Sequence, residues 1–294
     1  MAKQLTGKEV AEAMVSRLCD RTAALRDRGV IPTLAIVRIG EKPEDMSYER
    51  GAVKRADAVG VAVRQFVLPD NVTKEEVLSV IDGINEDGTI HGALLFRPLP
   101  AHLKKDQQEI CNRLAPHKDV DGMTDIAMAG IFTGKAVGYP PCTPAACMEI
   151  LEHYGYDCTG KNAVVLGRSL VIGKPLAMLL MAKNATVTVC HTRSKDIPGI
   201  CRQADLIVSA VGVLHFLTAE YVRPGQTVLD VSINYDPEKP NAKGGVGGIA
   251  GDAVFDEVAP VVDAITPVPG GVGAVTTAVL MKHVVEAAEK GGAA

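Results

Sequence analysis

The chain reads as an α/β protein built on parallel sheets and divided into two domains. Three observations give that reading. Short apolar runs rich in β-branched residues alternate with longer stretches of helical spacing, and such alternation specifies parallel sheets. The length of 294 residues is long for one domain and comfortable for two. A proline-rich interruption, Pro140-Pro141-Cys142-Thr143-Pro144, separates one strand–helix series from a second.

In the first series, Val10, Met14, Leu18, Ala24 and Leu25 fall near one helical face, which predicts a helix from Val10 to Leu25. Thr33 to Ile39 is an apolar β run. Ser47 to Val59 reads as a helix ended by Gly60, Val61 to Leu68 as a strand and Lys74 to Ile84 as a helix. Ile90 to Leu95 is a strand that enters the turn Arg97-Pro98-Leu99-Pro100. Thr143 is placed to cap a helix beginning at Pro144. The second series contains the runs Ala163–Leu166, Thr186–Cys190, Leu206–Ala210, Thr227–Val231 and Ala264–Ile265, interrupted by a glycine-rich loop from Gly244 to Gly251. A final helix from Gly273 to Ala288 follows Pro267-Val268-Pro269-Gly270-Gly271. Right-handed crossovers bring the loops after parallel strands to one sheet edge, where ligands bind.

Composition excludes several function classes. Aromatic residues are 4% of the chain with no Trp, and the net charge of −4 is spread without blocks of one sign. Neither base stacking nor phosphate-backbone binding is supported, so no nucleic-acid partner is expected. The uncharged run Leu206–Ala219 is too short for a bilayer, and Ala264–Met281 is broken by prolines and glycines. The N-terminal MAKQLTGKEVAEAM carries no apolar signal region. A soluble, cytoplasmic protein without a membrane partner is expected. The 7 cysteines form no C-x-x-C, which reads as free thiols in a reducing compartment. No Cys/His cluster calls for a metal.

The most informative stretch is Asn162 to Pro175, NAVVLGRSLVIGKP. A β run meets the turn Gly167-Arg168-Ser169, a second glycine (Gly173) follows, and an apolar helical stretch, Leu176 to Ala182, begins. Strand, glycine turn and helix aim backbone N–H groups at a phosphate. The next strand ends Cys190-His191-Thr192-Arg193-Ser194. An acidic residue there would hold the ribose 2′-OH of NAD, whereas Arg suits the 2′-phosphate of NADP. No carboxylate is present, while Thr192, Arg193 and Arg168 are, which favours NADP with NAD as the alternative. His191, beside that ribose position, takes a structural hydrogen-bonding role. Ala210 and Gly212, after the third strand, are small enough for close backbone approach to a cofactor, and Ile233 completes the cofactor set.

GRSLVIGKP, KDVDG (Lys118 to Gly122), PPCTP and ITPVPGGVG (Ile265 to Gly273) occur in an order that resembles the methylenetetrahydrofolate dehydrogenase/cyclohydrolase family over almost the full chain. The resemblance implies a folate-binding catalytic domain at residues 1–141, joined by a C-terminal helix at 273–294. It implies a Rossmann-type NAD(P)-binding domain at 142–272, with a cleft between the two. Tetrahydrofolate one-carbon derivatives are the implied substrates and a homodimer the implied assembly. Tyr48 and Asp121 are the implied catalytic residues. Tyr48, Leu99, Asp121, Pro267, Gly270 and Gly271 are the implied substrate contacts.

Two positions depart from the family pattern. The Tyr-x-x-x-Lys pair of the family becomes Tyr48 and Ala52, and Gln-Leu-Pro-Leu-Pro becomes Phe96-Arg97-Pro98-Leu99-Pro100. A third, mild departure is Ala274, where the family commonly has Pro after GGVG. In the family, Lys, Gln and Tyr serve the hydrolysis. Hydride transfer from the methylene bridge needs alignment alone, whereas opening the methenyl ring needs a positioned proton-transfer group. Lys54 lies roughly 200° round the helix from position 52, and Arg97 leaves the strand on the side opposite Phe96 and is a poor base. The expectation is therefore an oxidoreductase that transfers hydride from 5,10-methylenetetrahydrofolate to NADP with its cyclohydrolase activity lost or weak. The alternatives are a fully bifunctional enzyme and a folate binder without turnover.

Overall fold

The computed structural model describes residues 2–240 and 245–291, and the chain forms two compact units. One contains Met1–Ala11 and Thr143–Thr276, the other Glu12–Cys142 and Thr277–Ala294.

In the second of these, three parallel strands form a sheet in the order Ala62–Leu68, Thr33–Ile39, Gly92–Leu95. The central strand is buried at every position, as expected for an apolar run paired on both sides. An isolated parallel bridge from Ala93 to Asp119 extends the sheet by a rudimentary fourth segment. The core gathers Ala35, Val37, Ile39, Val77, Ile81 and Leu95 with their neighbours. Helix Pro43–Val59 has Pro at its start, and Gly60 at φ 80° closes it in the left-handed conformation that glycine adopts without a Cβ clash. Its first turn begins four residues earlier than the apolar spacing indicated, because Pro43 and acidic Glu44 and Asp45 suit a helix N-terminus without burying anything.

In the other unit, six parallel strands take the order Lys3–Gln4, Ala264–Ile265, Thr227–Asp230, Leu206–Ser209, Asn162–Leu166, Thr186–Cys190. After Asn162–Leu166 the chain moves outward to Thr186–Cys190, then crosses back to Leu206–Ser209 on the other side. The carboxyl ends of Asn162–Leu166 and Leu206–Ser209 therefore flank a topological switch point, the place where doubly wound sheets bind ligands.

Four details differ from the sequence expectations. The first residues of the chain belong to the unit of the second series, because Lys3–Gln4 pairs with Ala264–Ile265. Helix Cys142–His153 starts before Pro144, so Thr143 lies inside its first turn instead of capping it; Pro144 is tolerated there because first-turn N–H groups lack helical partners anyway. The glycine-rich stretch is a strand, Val246–Ala250, paired antiparallel with Asn234–Pro240, although Gly244 lies outside the described residues. The last helix is preceded by a single 3₁₀ turn, Val272–Ala274, and runs from Thr276 to Gly291; the rest of the expected 273–294 segment lies outside the described residues. All seven cysteines are free thiols. Among the described residues, no helix is long and apolar enough to cross a membrane.

Candidate active site

Tyr48 sits on helix Pro43–Val59, which is fixed to the sheet by a buried polar cluster. Arg38, on the central strand, donates from Nε to Glu49 Oε2 at 2.6 Å, and Gln65 Nε2 donates to Glu49 Oε1 at 2.6 Å. Breaking a buried pair of this kind costs about 3–5 kcal/mol, so the residue next to Tyr48 in sequence anchors its helix. The Tyr48 ring meets the Phe96 ring edge-on, centroids 5.9 Å apart and planes at 85°. Ala52, one turn on, is fully buried. Lys54 lines a separate recess of about 490 Å³ with Met46, Glu49, Arg50, Val53 and Asp57. Lys42, just before the helix, donates from Nζ to the Pro98 carbonyl at 2.8 Å.

Phe96 continues the ladder of the central sheet, donating its N–H to Val37 O. Arg97 then turns the other way and donates from Nη2 to Asp121 Oδ2 at 2.8 Å. Asp121 comes level because the Ala93–Asp119 bridge sets Lys118–Gly122 beside the strand. The rest of that motif is architectural. Lys118 donates to the carbonyls of Ile84, Asn85 and Asp87, closing the C-terminus of helix Lys74–Glu86. Asp119, fully buried, accepts from the N–H groups of Met123 and Thr124. Burial pushes the Asp121 carboxyl above the usual carboxylate range, and Arg97 opposes that shift. Leu99 turns its side chain into the core and donates its N–H to Gln107 Oε1.

The other unit carries the remaining candidates. Gly167, at φ 112°, follows strand Asn162–Leu166, and a Cβ there would lie 2.5 Å from the Ala210 carbonyl oxygen. Any other residue would push apart the two loops at the switch point. Gly173, which opens helix Gly173–Ala182, packs on the Gly167 carbonyl in the same way. Ser169 Oγ accepts from the Ile172 N–H at 3.1 Å, holding the turn against the helix start. Arg168 and Ser169 are exposed, as are Thr192 and Arg193. His191 shapes its own turn: Nδ1 accepts from the Arg193 N–H at 3.2 Å, and its N–H donates to Ser194 Oγ. The first carboxylate after this strand, Asp196, is spent capping helix Ile197–Arg202 through Gly199 N–H. A cradle of two close-packed glycines, a helix N-terminus and two exposed arginines with no free carboxylate nearby fits a phosphorylated dinucleotide.

Two acids that the sequence reading missed set the loop after Leu206–Ser209. Asp252, fully buried, accepts from Ser209 Oγ, Val211 N–H, Val213 N–H and Asn234 Nδ2. Asp230 accepts from the N–H groups of Asp252 and Ala253, and burial pushes its carboxyl up to about 6. Ala210 and Gly212 thus ride on a buried carboxylate relay, with Gly212 N–H also donated to Ser232 Oγ. Asp252 directly follows the glycine-rich stretch, but nothing in the spacing singles out Asp230. A recess of about 280 Å³ brings Ile233 together with Pro267, Gly270 and Gly271.

Comparison with known proteins gives a consistent answer. The family model described as tetrahydrofolate dehydrogenase/cyclohydrolase, catalytic domain, matches residues 5–121, and that described as its NAD(P)-binding domain matches residues 141–291. The chain is 48% identical over 289 residues to the bifunctional protein FolD of Carboxydothermus hydrogenoformans, covering 98% of each. Among solved structures, it resembles the bifunctional dehydrogenase/cyclohydrolase FolD of Campylobacter jejuni, with 35% identity, TM-score 0.91 and 99% of each chain covered. It also resembles the Trypanosoma brucei enzyme complexed with NADP and an inhibitor, with 32% identity, TM-score 0.90 and 98% of each chain covered. With both halves matched in order and relatives aligned end to end, the chain belongs to the tetrahydrofolate dehydrogenase/cyclohydrolase family.

Proposed function

We propose that this protein oxidises 5,10-methylenetetrahydrofolate to 5,10-methenyltetrahydrofolate with NADP and hydrolyses the product weakly or not at all. The observation that carries the second half is the pairing of a fully buried Ala52 with a Phe96 ring edge-on to Tyr48. At the two positions where the family supplies a proton-transfer lysine and its glutamine, this chain presents a methyl group and a hydrocarbon ring.

The chemistry divides accordingly. The bridge carbon of the substrate lies between two nitrogens whose lone pairs spread the developing positive charge, so no side chain must move a proton. Bound NADP supplies the hydride acceptor. What the chain contributes is alignment, which is worth several kcal/mol of barrier on its own. Gly167, Arg168, Ser169 and Gly173 would hold the phosphates, Thr192 and Arg193 the adenosine ribose phosphate, and Ala210, Gly212 and Ile233 the remainder. Tyr48, Asp121, Pro267, Gly270 and Gly271 would hold the folate. Hydrolysis differs, because water adds and a carbon–nitrogen bond opens only as protons transfer, which takes a positioned group. The test follows NADPH absorbance with methylenetetrahydrofolate, then the decay of methenyltetrahydrofolate with and without protein. Reduction of NADP with no enzymatic acceleration of that decay is the expected pair of results. Rapid decay, at the level of dehydrogenation, would overturn the proposal for the second reaction.

The homodimer reading has support in the hairpin. Tyr235 and Ile249 pair across its strands and stand 70% and 46% exposed. An unshielded apolar ribbon of this kind suits pairing with a second copy. Light scattering should give twice the chain mass for the native protein and the monomer mass for Tyr235→Asp with Ile249→Asp.

A further inference from the structure

The Asp121 carboxylate is held by Arg97. We infer that Arg97 is a positioning residue for substrate recognition, fixing the Asp121 carboxylate as the acceptor for the donor-rich edge of the pterin ring. The inference rests on the folate reading above and goes beyond it by assigning a role to a residue outside the alignment-and-hydride account.

The geometry is specific. Arg97 Nη2 reaches Asp121 Oδ2 at 2.8 Å, and the two side chains are only 25% and 19% exposed. A guanidinium that reaches this far from water is costly unless its pairing returns the desolvation energy. Arg97 Nε is buried with no hydrogen-bond partner, so this side chain is held at the expense of an unsatisfied donor. Retaining Arg97 under that cost makes sense when the ion pair serves Asp121.

The substrate chemistry says what Asp121 must be. A 2-amino-4-oxo pyrimidine edge carries adjacent N–H donors, so a carboxylate recognises it only as the ionised acceptor; the protonated acid would set a donor against a donor. The surroundings oppose ionisation. Burial is the largest of these effects and the negative charge of nearby Asp119 adds to it, whereas the Cys142 thiol, on helix Cys142–His153 and itself held protonated by burial and by Asp121, hydrogen-bonds the carboxyl and favours its ionised form; Cys111, on helix Gln107–Arg113, is a buried thiol kept protonated chiefly by burial. Among the described residues, Arg97 is the cation that acts against burial and Asp119, and its Nη2 engages Oδ2 of the carboxylate. Taking Arg97 away should therefore weaken folate binding, and should do so through protonation.

The experiment measures kcat and KM for methylenetetrahydrofolate from pH 5 to 9 in wild type, Arg97→Leu, Arg97→Gln and Arg97→Lys, with thermal unfolding as a check on each. For Arg97→Leu the expected result is a KM about tenfold or more higher at pH 7, kcat within a factor of about three, and an acid limb of kcat/KM moved about one pH unit upward. Arg97→Lys, which keeps the charge, should leave the limb near its wild-type position. Combining Arg97→Leu with Asp121→Asn should add little to Asp121→Asn alone. An unshifted acid limb and unchanged KM in a folded Arg97→Leu would overturn the inference; if that variant does not fold, the same outcome in Arg97→Gln does so. Failure of the wild type to reduce NADP would instead overturn the folate reading, so the two failures are separable.

Discussion

Phe96 closes edge-on against Tyr48, ring centroids 5.9 Å apart, just beyond the end of strand Gly92–Leu95. The aromatic pair contributes about 0.5–1.5 kcal/mol beyond its burial. It also leaves Tyr48 beside an apolar edge. If the absent lysine and glutamine are what separates this chain from bifunctional relatives, Ala52→Lys with Phe96→Gln should accelerate methenyltetrahydrofolate opening by about tenfold or more, a partial recovery of the roughly 10²–10⁴-fold that general acid–base catalysis supplies. Because Ala52 is fully buried, the lysine should also lower stability by about 1–3 kcal/mol. Lys42→Met is the companion variant, since Lys42 reaches the Pro98 carbonyl next to the same turn. Residual hydrolysis that survives Lys42→Met clears that ammonium of the role; its loss would assign the hydrolysis to Lys42.

At the switch point, Gly167→Ala should abolish close approach of the two loops. The added Cβ meets the Ala210 carbonyl at 2.5 Å, and the backbone at φ 112° strains any L side chain. We expect a stability loss of about 1–3 kcal/mol and a KM for NADP raised at least about tenfold, with methenyltetrahydrofolate binding little changed. Steady-state kinetics alongside thermal unfolding separates the two effects.

Arg168 and Arg193 are exposed on the two turns nearest the proposed ribose phosphate. Changing both to Ser should raise KM for NADP by about 10–100-fold, the worth of one or two charge-assisted hydrogen bonds, and leave NAD nearly unaffected. Equal losses with both nucleotides would place the arginines on the shared pyrophosphate instead.

His283 lies fully enclosed, its Nδ1–H donated to the Val120 carbonyl at 2.8 Å and its ring 4.9 Å from that of Tyr139. Burial pushes its pKa from 6.5 down to about 4. Between those values the unfolded chain binds a proton that the folded chain does not, so this residue removes stability as pH falls from 6.5 to 4, by about 3 kcal/mol in total. Asp230 works in the opposite direction. Its carboxyl is raised from 3.8 to about 6, so stability falls as pH rises through that window. The two slopes offset one another in the native protein. His283→Gln should expose the difference: its stability deficit relative to wild type, measured by denaturant unfolding, should shrink by about 3 kcal/mol between pH 7 and pH 4. A deficit independent of pH would show that His283 is not held neutral by its surroundings.

Much of the architecture was legible because buried parallel strands are written as unbroken apolar runs. Thr33 to Ile39 coincides with a strand buried at every position, Thr186 to Cys190 with a mostly exposed edge strand legible through its β-branched residues instead, and Gly60 ends its helix as glycine's left-handed tolerance requires. The hairpin was not legible. Its strands carry Pro237, Pro240, Gly247 and Gly248, residues that ordinarily mark loops, and only pairing across the ribbon makes them extended. Lys3–Gln4 was hidden for a different reason: two polar residues have no strand signature until Ala264–Ile265 arrives beside them. At the site, the rule that neighbours on a strand point apart correctly separated Arg97 from Phe96, yet no local rule names a partner 24 positions away. Asp230 and Asp252 escaped notice because a carboxylate's value depends on the N–H groups that surround it, which sequence spacing does not record.

The pairing of Lys3 with Ala264 has a bearing on how the polypeptide is made. Translation delivers the first of these residues long before the second, at a pace of about 5–20 residues per second. The amino-terminal ribbon must therefore wait, unsatisfied, until Ala264 has been made. Completion of that outermost rung waits for Ala264, and nascent chains stalled short of it should lack the rung, remaining open to proteases at their amino end while the internal strands beside them are already protected.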